Sequence, residues 1–277
     1  MTSNTFSVLI SVYAREIPDF LRSSLESTVN QTLIPNEIVL VKDGPLTPEL
    51  ERVVEEFSEK SPGLVQVVSL EKNVGLGQAL SIGLLKCKND IVARMDTDDI
   101  CQNNRFEKQI QFLTDNPHID LVGSNILEFE TDPQKPSRVR QTPETDLAIK
   151  KAIRHRNPFN HMSVCFRKHS VLRVGNYRHM PYFEDYDLWI RMTKGHCQFH
   201  NLQENLILVR TANDLIGKRH GLAYARLEWR FLWHHFVSGF FSPKEIFLNA
   251  ALRFPIRIIP KRILALVYSR FLRKKIS

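Results

Sequence analysis

The chain has 277 residues, of which 43% are hydrophobic and 25% charged, ordinary proportions for a soluble globular protein. Its net charge is +8, and no run of about 20 apolar residues is present to span a bilayer. The four cysteines show neither zinc-site spacing nor a disulfide framework, and the N-terminal segment lacks the basic region and cleavage site of a signal peptide, so we expect reduced thiols in a cytosol.

Short β-rich runs alternate with helical patterns through the first 125 residues. We predict strands at 6–13, 37–44, 65–70 and 90–95, helices at 18–31, 47–60, 75–87 and 104–116, and an extended pair or bent strand at 119–130. This alternation predicts a parallel sheet covered by helices. The segment "NVGLGQAL" has a G-x-G without a third glycine in place, which counts against a Rossmann dehydrogenase.

The second half of the chain is less regular. Residues 131–160 are polar and contain prolines, which predicts a long surface loop followed by a short helix. A strand is expected at 161–168, and the segment 180–195 ("MPYFEDYDLWIRMTKG") carries an acidic cluster on a helical pattern.

A first acidic cluster follows the predicted strand 90–95, in "DIVARMDTDDI". Ligands bind open α/β sheets at the carboxyl ends of their strands, so Asp96, Asp98 and Asp99 are expected at the functional edge. Carboxylates crowded at such a point suit a hard cation such as Mg²⁺ or Mn²⁺. The alternative is a solvated acidic turn that caps the helix beginning near Asn103.

The second acidic cluster is "FEDYDLW", with Glu184, Asp185 and Asp187 beside Trp189. A carboxylate next to an aromatic wall can serve as a general base. The alternative is an acidic first helical turn favoured by the helix dipole, with Trp189 in the core.

Together these segments carry a resemblance to a known family. In order they are "SVLISVYARE", "EIVLVKDG", "NVGLGQALSIGL", "DIVARMDTDD" and "FEDYDLWIR". The set resembles the family-two inverting glycosyltransferases, which implies the GT-A fold: α/β, with a Rossmann-like, mostly parallel central sheet flanked by helices. Two further stretches, "DTDDICQNNRFEKQIQFLTDNPHIDLVGSN" and "NHMSVCFRKHSVLRVGNYR", resemble the subgroup that assembles bacterial O-antigen and exopolysaccharide repeat units. The match covers about residues 6–220.

The resemblance implies roles for residues that bind the donor. The residues that would hold the uracil, ribose and diphosphate of a UDP-sugar are Ser11, Tyr13, Glu16, Asp43, Asn73, Gly75, Arg94 and Asp96. Asp98 and Asp96 match the D-x-D motif, which implies Mn²⁺ or Mg²⁺ with Asp98 as the more direct ligand. Many relatives have Asn where this chain has Ser81.

The resemblance also implies roles on the acceptor side. Asp185 matches the catalytic base, Glu184 and Asp187 would position acceptor hydroxyls, and Trp189 and His161 would contact the acceptor sugar. The segment 208–221 occupies the place of a loop that closes over the diphosphate. Its candidate phosphate contacts are Arg210, Lys218, Arg219 and His220, with His220 also a candidate third metal ligand. An ordinary basic surface cluster is the alternative for this segment.

The end of the chain is strongly basic. No acid follows Glu245, whereas eight Lys or Arg residues do, so the whole net charge belongs there. After Pro260, apolar residues recur between bases at the spacing of an amphipathic helix that lies on anionic lipid. We expect residues 241–277 to be a basic helical extension that associates with a membrane, in particular through 246–277. A helix docked on its own body is the alternative; nucleic acid is not expected, because the body is neutral.

The sequence therefore predicts a hexosyltransferase with three parts: a nucleotide-sugar half (1–125), an acceptor and catalytic-base half (126–240) and the basic extension (241–277). The expected reaction moves glucose or galactose from a UDP-sugar to an N-acetylhexosamine on a lipid diphosphate, at the cytoplasmic face of the inner membrane. One alternative is a nucleotidyltransferase, but "SVYAREIPDF" offers no glycine-rich basic phosphate loop. Another is a non-catalytic carbohydrate- or lipid-binding protein, against which the intact Asp96, Asp98 and Asp185 argue.

Overall fold

The apolar runs of the first half form the strands of one sheet. A computed structural model describes residues 5–211, 220–258 and 274–275 of the chain. Its strands are β1 (Phe6–Val12), β2 (Glu37–Lys42), β3 (Val65–Ser69), β4 (Ile91–Met95), β5 (Ile100–Cys101), β6 (Leu121–Phe129), β7 (Arg138–Arg140), β8 (Cys165–Arg167), β9 (Phe199–Arg210) and β10 (Lys274–Lys275). Its α-helices are α1 (Pro18–Val29), α2 (Pro48–Lys60), α3 (Leu76–Lys86), α4 (Arg105–Asp115), α5 (Asp146–Ala152), α6 (Lys168–Arg173), α7 (Glu184–Lys194), α8 (Leu222–Val237) and α9 (Pro243–Ile258).

The sheet has a parallel half and an antiparallel half. Strands β3, β2, β1 and β4 lie side by side and parallel, so their carboxyl ends share one edge. Beyond β4 the order continues β8, β6, β7 and β10 with antiparallel pairs, while β9 runs parallel to β6 and also pairs with β5. The predicted fold class, an α/β sheet of GT-A type flanked by helices, is confirmed.

Helices cover both faces of the sheet. Alternate residues of β1 point to opposite sides, so Val8 and Ile10 belong to one core with α1, α2 and α4, and Leu9 belongs to the other with α3 and α7. Because both faces are covered, the central strands are continuous apolar runs rather than alternating ones. Gly83 lets α3 lie close to the sheet: a Cβ there would be 2.6 Å from side-chain carbons of Leu9 and Val41.

Helices α8 and α9 form a hairpin that ion pairs hold together and a hydrogen bond joins to the body. Glu228 of α8 pairs with Arg253 at 3.1 Å and with Arg257 at 2.9 Å, and both arginines belong to α9. The Asn249 amide donates to the Arg154 carbonyl at 2.9 Å. Residues 243–258, which the sequence assigned to the basic extension, thus pack on the rest of the chain, whereas residues 259–273 lie outside the described part. Among the described residues, no helix combines the length and apolar character needed to cross a membrane.

Candidate functional site

The carboxyl end of β2 holds the loop that precedes α3. The Asp43 carboxylate accepts hydrogen bonds from the Val74 and Gly75 amides at 2.7 and 3.1 Å, and the Asn73 side chain donates to the Asp43 carbonyl at 3.2 Å. Gly44 has φ +87° and its missing Cβ would lie 2.6 Å from the Asn73 nitrogen, so only glycine fits there. Asp43, Asn73 and Gly75, all predicted at the donor, are thereby brought together at the sheet edge.

Three carboxylates gather after β4. One oxygen each of Asp96, Asp98 and Asp99 lies within 4.8 Å of the others. Asp99 is buried, and its Oδ1 accepts from the Arg210 amide at 3.1 Å, while no donor among the described residues reaches its Oδ2. Burial, followed by the charges of Asp98 and Asp96, raises the pKa of Asp99 well above its usual range. Crowded carboxylate oxygens with an uncompensated buried atom fit a hard divalent cation.

A buried arginine lies between this acid cluster and the second half of the molecule. The Arg94 side chain is 2% exposed and forms an ion pair with Asp96. Its Nε and Nη1 have no hydrogen-bond partner in the described part of the chain. The charge of Arg94 lowers the pKa of both His161 and Glu184. A guanidinium with two N–H groups left for a further partner beside the acid cluster is suited to an anionic group such as a diphosphate.

The first turn of α7 supplies two partly buried carboxylates. Burial, then the charge of neighbouring Asp185, raises the pKa of Glu184 to about 7, and the charge of Asp96 also contributes. Asp185 accepts from the Asn157 side chain at 2.6 Å and from the Tyr186 amide at 2.7 Å. The charges of Asp96 and Arg94 both change the pKa of Glu184, so the two acidic clusters lie within electrostatic range of each other. In sequence, 87 residues separate Asp98 from Asp185.

Helix α3 contacts the start of α7 directly. A Cβ on Gly77 would lie 2.5 Å from the Arg178 carbonyl oxygen and 3.0 Å from Cβ of Glu184. Gly75, two residues earlier, is bonded to Asp43 through its amide. The start of α3 therefore spaces the end of β2 from the first turn of α7.

Residues after β1 reach the same edge. Ser11 lies in β1 opposite Val41 of β2 and is partly buried. Partial burial, then the charge of Glu16, raises the pKa of Tyr13, and Asp98 adds to the effect. Tyr13 and Glu16 thus lie near each other and within electrostatic range of the acid cluster.

Arg210 ends β9 beside the acid cluster. Its guanidinium stacks between two rings, 3.8 Å from the Phe20 centroid and 4.6 Å from that of Phe129. Burial lowers its pKa, and the charges of Asp98 and Asp99 oppose that shift. His220 is partly buried, and Lys218 and Arg219 lie outside the described residues.

His161 lies near Arg94, whereas Trp189 is not exposed to solvent. His161 Nε2 lies 3.1 Å from the Tyr177 hydroxyl, and burial, then Arg94, holds the pKa of His161 well below its usual range. Trp189 is fully buried against Phe159, with ring centroids 5.4 Å apart. This burial contradicts the predicted contact of Trp189 with an acceptor sugar. Trp189 lies in the core, which was the alternative that the sequence left open.

Asp187 is buried between helices and does not lie at an acceptor site, contrary to the prediction. Its carboxylate is fully buried, receives the Arg191 guanidinium at 2.7 Å and lies 3.2 Å from Nε2 of His235 in α8. Although burial opposes it, the His235 and Arg191 contacts lower the pKa of Asp187. The His235 contact joins α7 to α8, and a fully buried carboxylate cannot meet a hydroxyl from solvent.

We expect Asp187→Asn to destabilise the fold by about 3 kcal/mol, because it leaves a buried guanidinium without its counter-charge. Denaturant unfolding followed by far-UV circular dichroism measures this. Because the pKa of Asp187 is lowered by folding, its contribution is present above the unfolded-state pKa and is lost as pH falls through the folded-state pKa. The stability difference between wild type and variant should therefore shrink at acid pH. An equal difference at pH 7 and at pH 3 would contradict this.

Two residues of the site were missed by the sequence prediction. Asn157 donates to Asp185, and Tyr177 contacts His161. Asn157 belongs to neither an acidic cluster nor a recognisable motif and precedes its partner by 28 residues. Tyr177 lies in the quoted stretch "NHMSVCFRKHSVLRVGNYR", where no role was assigned to it. No local signal in a single sequence identifies such a pair.

Known proteins resemble this chain along most of its length. The profile described as Glycosyl transferase family 2 matches residues 7–180. The amylovoran biosynthesis glycosyltransferase AmsE of Erwinia amylovora is 41% identical, over 96% of this chain and 98% of its own. A protein of Escherichia coli named UDP-Gal:alpha-D-GlcNAc-diphosphoundecaprenol beta-1,3-galactosyltransferase is 33% identical, over 97% of both chains.

The fold also has solved counterparts. The mannosyltransferase PcManGT of Pyrobaculum calidifontis, in complex with GDP-Man and Mn²⁺, superposes with a TM-score of 0.64 over 96% of this chain and 75% of its own, at 14% identity. At that identity the likeness concerns the fold. The family profile covers more than half of the chain, and relatives of 33–41% identity cover almost all of it. The resemblance seen in the sequence is confirmed: this chain belongs to glycosyl transferase family 2.

Proposed function

We propose that this glycosyltransferase moves a hexose, glucose or galactose, from a UDP-sugar to an N-acetylhexosamine carried on a lipid diphosphate. The reaction would be one step in building an O-antigen or another cell-surface polysaccharide, with inversion at the anomeric carbon. The names of the Erwinia amylovora and Escherichia coli relatives support this assignment.

The observation that carries the proposal is the meeting of the two acidic clusters across Arg94. On one side, the ends of β1, β2 and β4 and the loop before α3 supply the proposed donor residues: Ser11, Tyr13, Glu16, Asp43, Asn73, Gly75, Arg94 and Asp96. On the other, α7 supplies Asp185 and Glu184. On this basis we propose a donor half at 1–125 and an acceptor half at 126–240.

In the proposed mechanism Asp185 is the general base. Its carboxylate takes the proton of the acceptor hydroxyl, whose oxygen attacks the anomeric carbon as the bond to the UDP oxygen breaks on the opposite face. The Asn157 and Tyr186 bonds fix the orientation of that carboxylate. Glu184, with a pKa of about 7, is placed to hydrogen-bond an acceptor hydroxyl in either protonation state, and neutral His161 borders the same space.

The acid cluster is the proposed site of Mn²⁺ or Mg²⁺. Asp98 and Asp96 would hold the ion, and His220 is a proposed further ligand. When bound, such an ion would neutralise charge on the leaving diphosphate. Arg210, Lys218 and Arg219 are the proposed phosphate contacts of the chain itself, and the position of Arg210 beside Asp98 and Asp99 supports its inclusion.

The test is release of UDP from a panel of UDP-sugars, with one synthetic lipid-diphosphate N-acetylhexosamine as acceptor. We expect acceptor-dependent release from UDP-galactose or UDP-glucose, with a new glycosidic bond of inverted configuration by NMR. GDP-mannose serves as the matched control donor. Acceptor-dependent transfer from GDP-mannose but from neither UDP-sugar would contradict the proposal, as would a retained configuration.

We further propose that the enzyme works as a peripheral protein at the cytoplasmic face of the inner membrane, because the acceptor is anchored in lipid. The basic end of the chain, residues 246–277, supports an anionic membrane surface as the partner.

A further inference from the structure

The outward face of the α8–α9 hairpin is unusually apolar. Seven of the thirteen large hydrophobic side chains exposed in the described part of the chain lie on these two helices: Leu222, Trp229, Trp233, Val237, Phe247, Leu248 and Leu252. Scattered exposed hydrophobic residues are normal, but a concentration on one element marks an interaction surface. We call this set the hairpin face.

On α8 the exposed residues follow helical periodicity. Leu222, Trp229, Trp233 and Val237 recur at steps of seven, four and four, which places them on one side of the helix. The opposite side, which includes Phe231, is buried against α7. Helix α8 is therefore apolar on both sides, and only one of these sides packs against the rest of the chain.

The two tryptophans form the centre of this surface. Trp229 and Trp233 are 41% and 49% exposed, their ring centroids are 5.9 Å apart, and Trp229 also lies 5.9 Å from Phe254 of α9. Indole rings partition to the boundary between lipid headgroups and acyl chains, because each ring has an apolar body and one polar N–H group. Helix α9 extends the surface with Phe247 and Leu252, both about 70% exposed.

The charged side chains of the hairpin indicate which partner the hairpin face binds. Arg226, Arg230 and Lys244 are exposed on the two helices. The two acids of the hairpin are both occupied: Glu228 is buried between Arg253 and Arg257, and Glu245 pairs with Arg154. Exposed bases interleaved with apolar and indole side chains complement an anionic phospholipid surface.

A groove beside Trp229 fits the same ligand. It has a volume of about 370 Å³ and is lined by Leu222, Ala225, Arg226, Trp229, Arg230 and Phe254. Two guanidinium groups at an aromatic groove can bind a lipid phosphate while the rings contact the first acyl methylenes.

We infer that the hairpin face docks the enzyme on an anionic bilayer, with Trp229 and Trp233 inserted at the headgroup boundary. The inference deepens the proposed function, which needs a lipid-borne acceptor. It moves membrane contact from the basic end of the chain alone to a folded surface of the body.

Co-sedimentation of the full chain with vesicles tests the inference. With vesicles of equal phosphatidylglycerol and phosphatidylcholine, we expect Trp229→Ala/Trp233→Ala to bind about tenfold more weakly than wild type. The matched control, Leu85→Ala/Leu147→Ala, removes two exposed apolar side chains from α3 and α5 and should bind within about twofold of wild type. Arg226→Gln/Arg230→Gln should reduce the preference for these vesicles over pure phosphatidylcholine.

Fluorescence gives a second readout. Brominated acyl chains should quench wild-type emission, because two of the three tryptophans are exposed and Trp189 is fully buried. Trp229→Phe/Trp233→Phe should abolish the quenching. Unchanged vesicle binding by the Trp→Ala pair, or quenching that persists in the Trp→Phe pair, would overturn the inference.

Two further measurements separate this inference from other occupants and from the proposed function. If the hairpin face joined two copies of the chain, sedimentation velocity without vesicles would show a dimer that the Trp→Ala pair dissociates, and vesicle binding would not change; that result overturns it. UDP release with a water-soluble acceptor analogue should be the same for the Trp→Ala pair and wild type. A failure of the transferase proposal would appear as no release by either protein, with the vesicle results unaffected.

Discussion

Asp98→Ala should abolish turnover and at the same time fail to destabilise the metal-free protein. Asp98 is one of three carboxylates whose oxygens lie within 4.8 Å of one another, and its charge helps to raise the pKa of buried Asp99. Removing one of three like charges relieves their repulsion, so we expect a thermal midpoint equal to or above that of wild type without metal. Under the proposed mechanism, catalysis should fall by about 10³-fold or more, since the variant would lose the ion proposed to stabilise the leaving diphosphate.

Thermal unfolding with and without Mn²⁺ separates the two effects. Mn²⁺ with UDP should raise the midpoint of wild type and leave that of Asp98→Ala unchanged. Asp115→Asn is a matched control, because Asp115 is an exposed acid at the end of α4. It should behave as wild type in both assays. An equal Mn²⁺ response in Asp98→Ala would remove Asp98 from the proposed ion site.

Asp185→Asn should lower kcat by about 10²-fold or more and leave UDP binding nearly unchanged. The carboxylate accepts from Asn157 at one oxygen and from the Tyr186 amide at the other. An amide can satisfy only one of those two donors, so we also expect a loss of about 1–2 kcal/mol in unfolding free energy.

Calorimetric UDP titration and UDP release at saturating donor measure the two parts of this prediction. The folded fraction is checked by circular dichroism, so that the small loss of stability is not mistaken for a loss of chemistry. Asp115→Asn again serves as the control. Normal turnover by Asp185→Asn would show that another group takes the proton, and Glu184 would be the first candidate to examine.

The parallel half of the sheet was predictable because each of its strands is a short apolar run that ends at a turn or an acid. Ile91, Val92 and Ala93 read as a buried strand and form β4, and the three aspartates after it lie at the edge where such strands end. Local pattern and tertiary structure agree here, since both depend on burial of the same residues.

The acceptor side was less predictable, because helical periodicity alone does not say which side of a helix meets the core. In "FEDYDLW" the sequence grouped Glu184 with Asp187, yet Glu184 lies near Asp96 and Asp187 points to His235. The difference is set by α3 and α8, which pack on two sides of α7 and come from distant parts of the chain. Their positions leave no trace in the spacing of the acids themselves.

The two-residue step from Gly75 to Gly77, at the start of α3, has an evolutionary consequence. At one end it is tied to Asp43, and at the other it touches Glu184 with no room for a side chain. The spacing between the end of β2 and the first turn of α7 is therefore built into the backbone. Under the proposed function, new sugar preferences would arise by exchanging side chains around this fixed spacing, whereas a donor of different length would require a change in α3 itself.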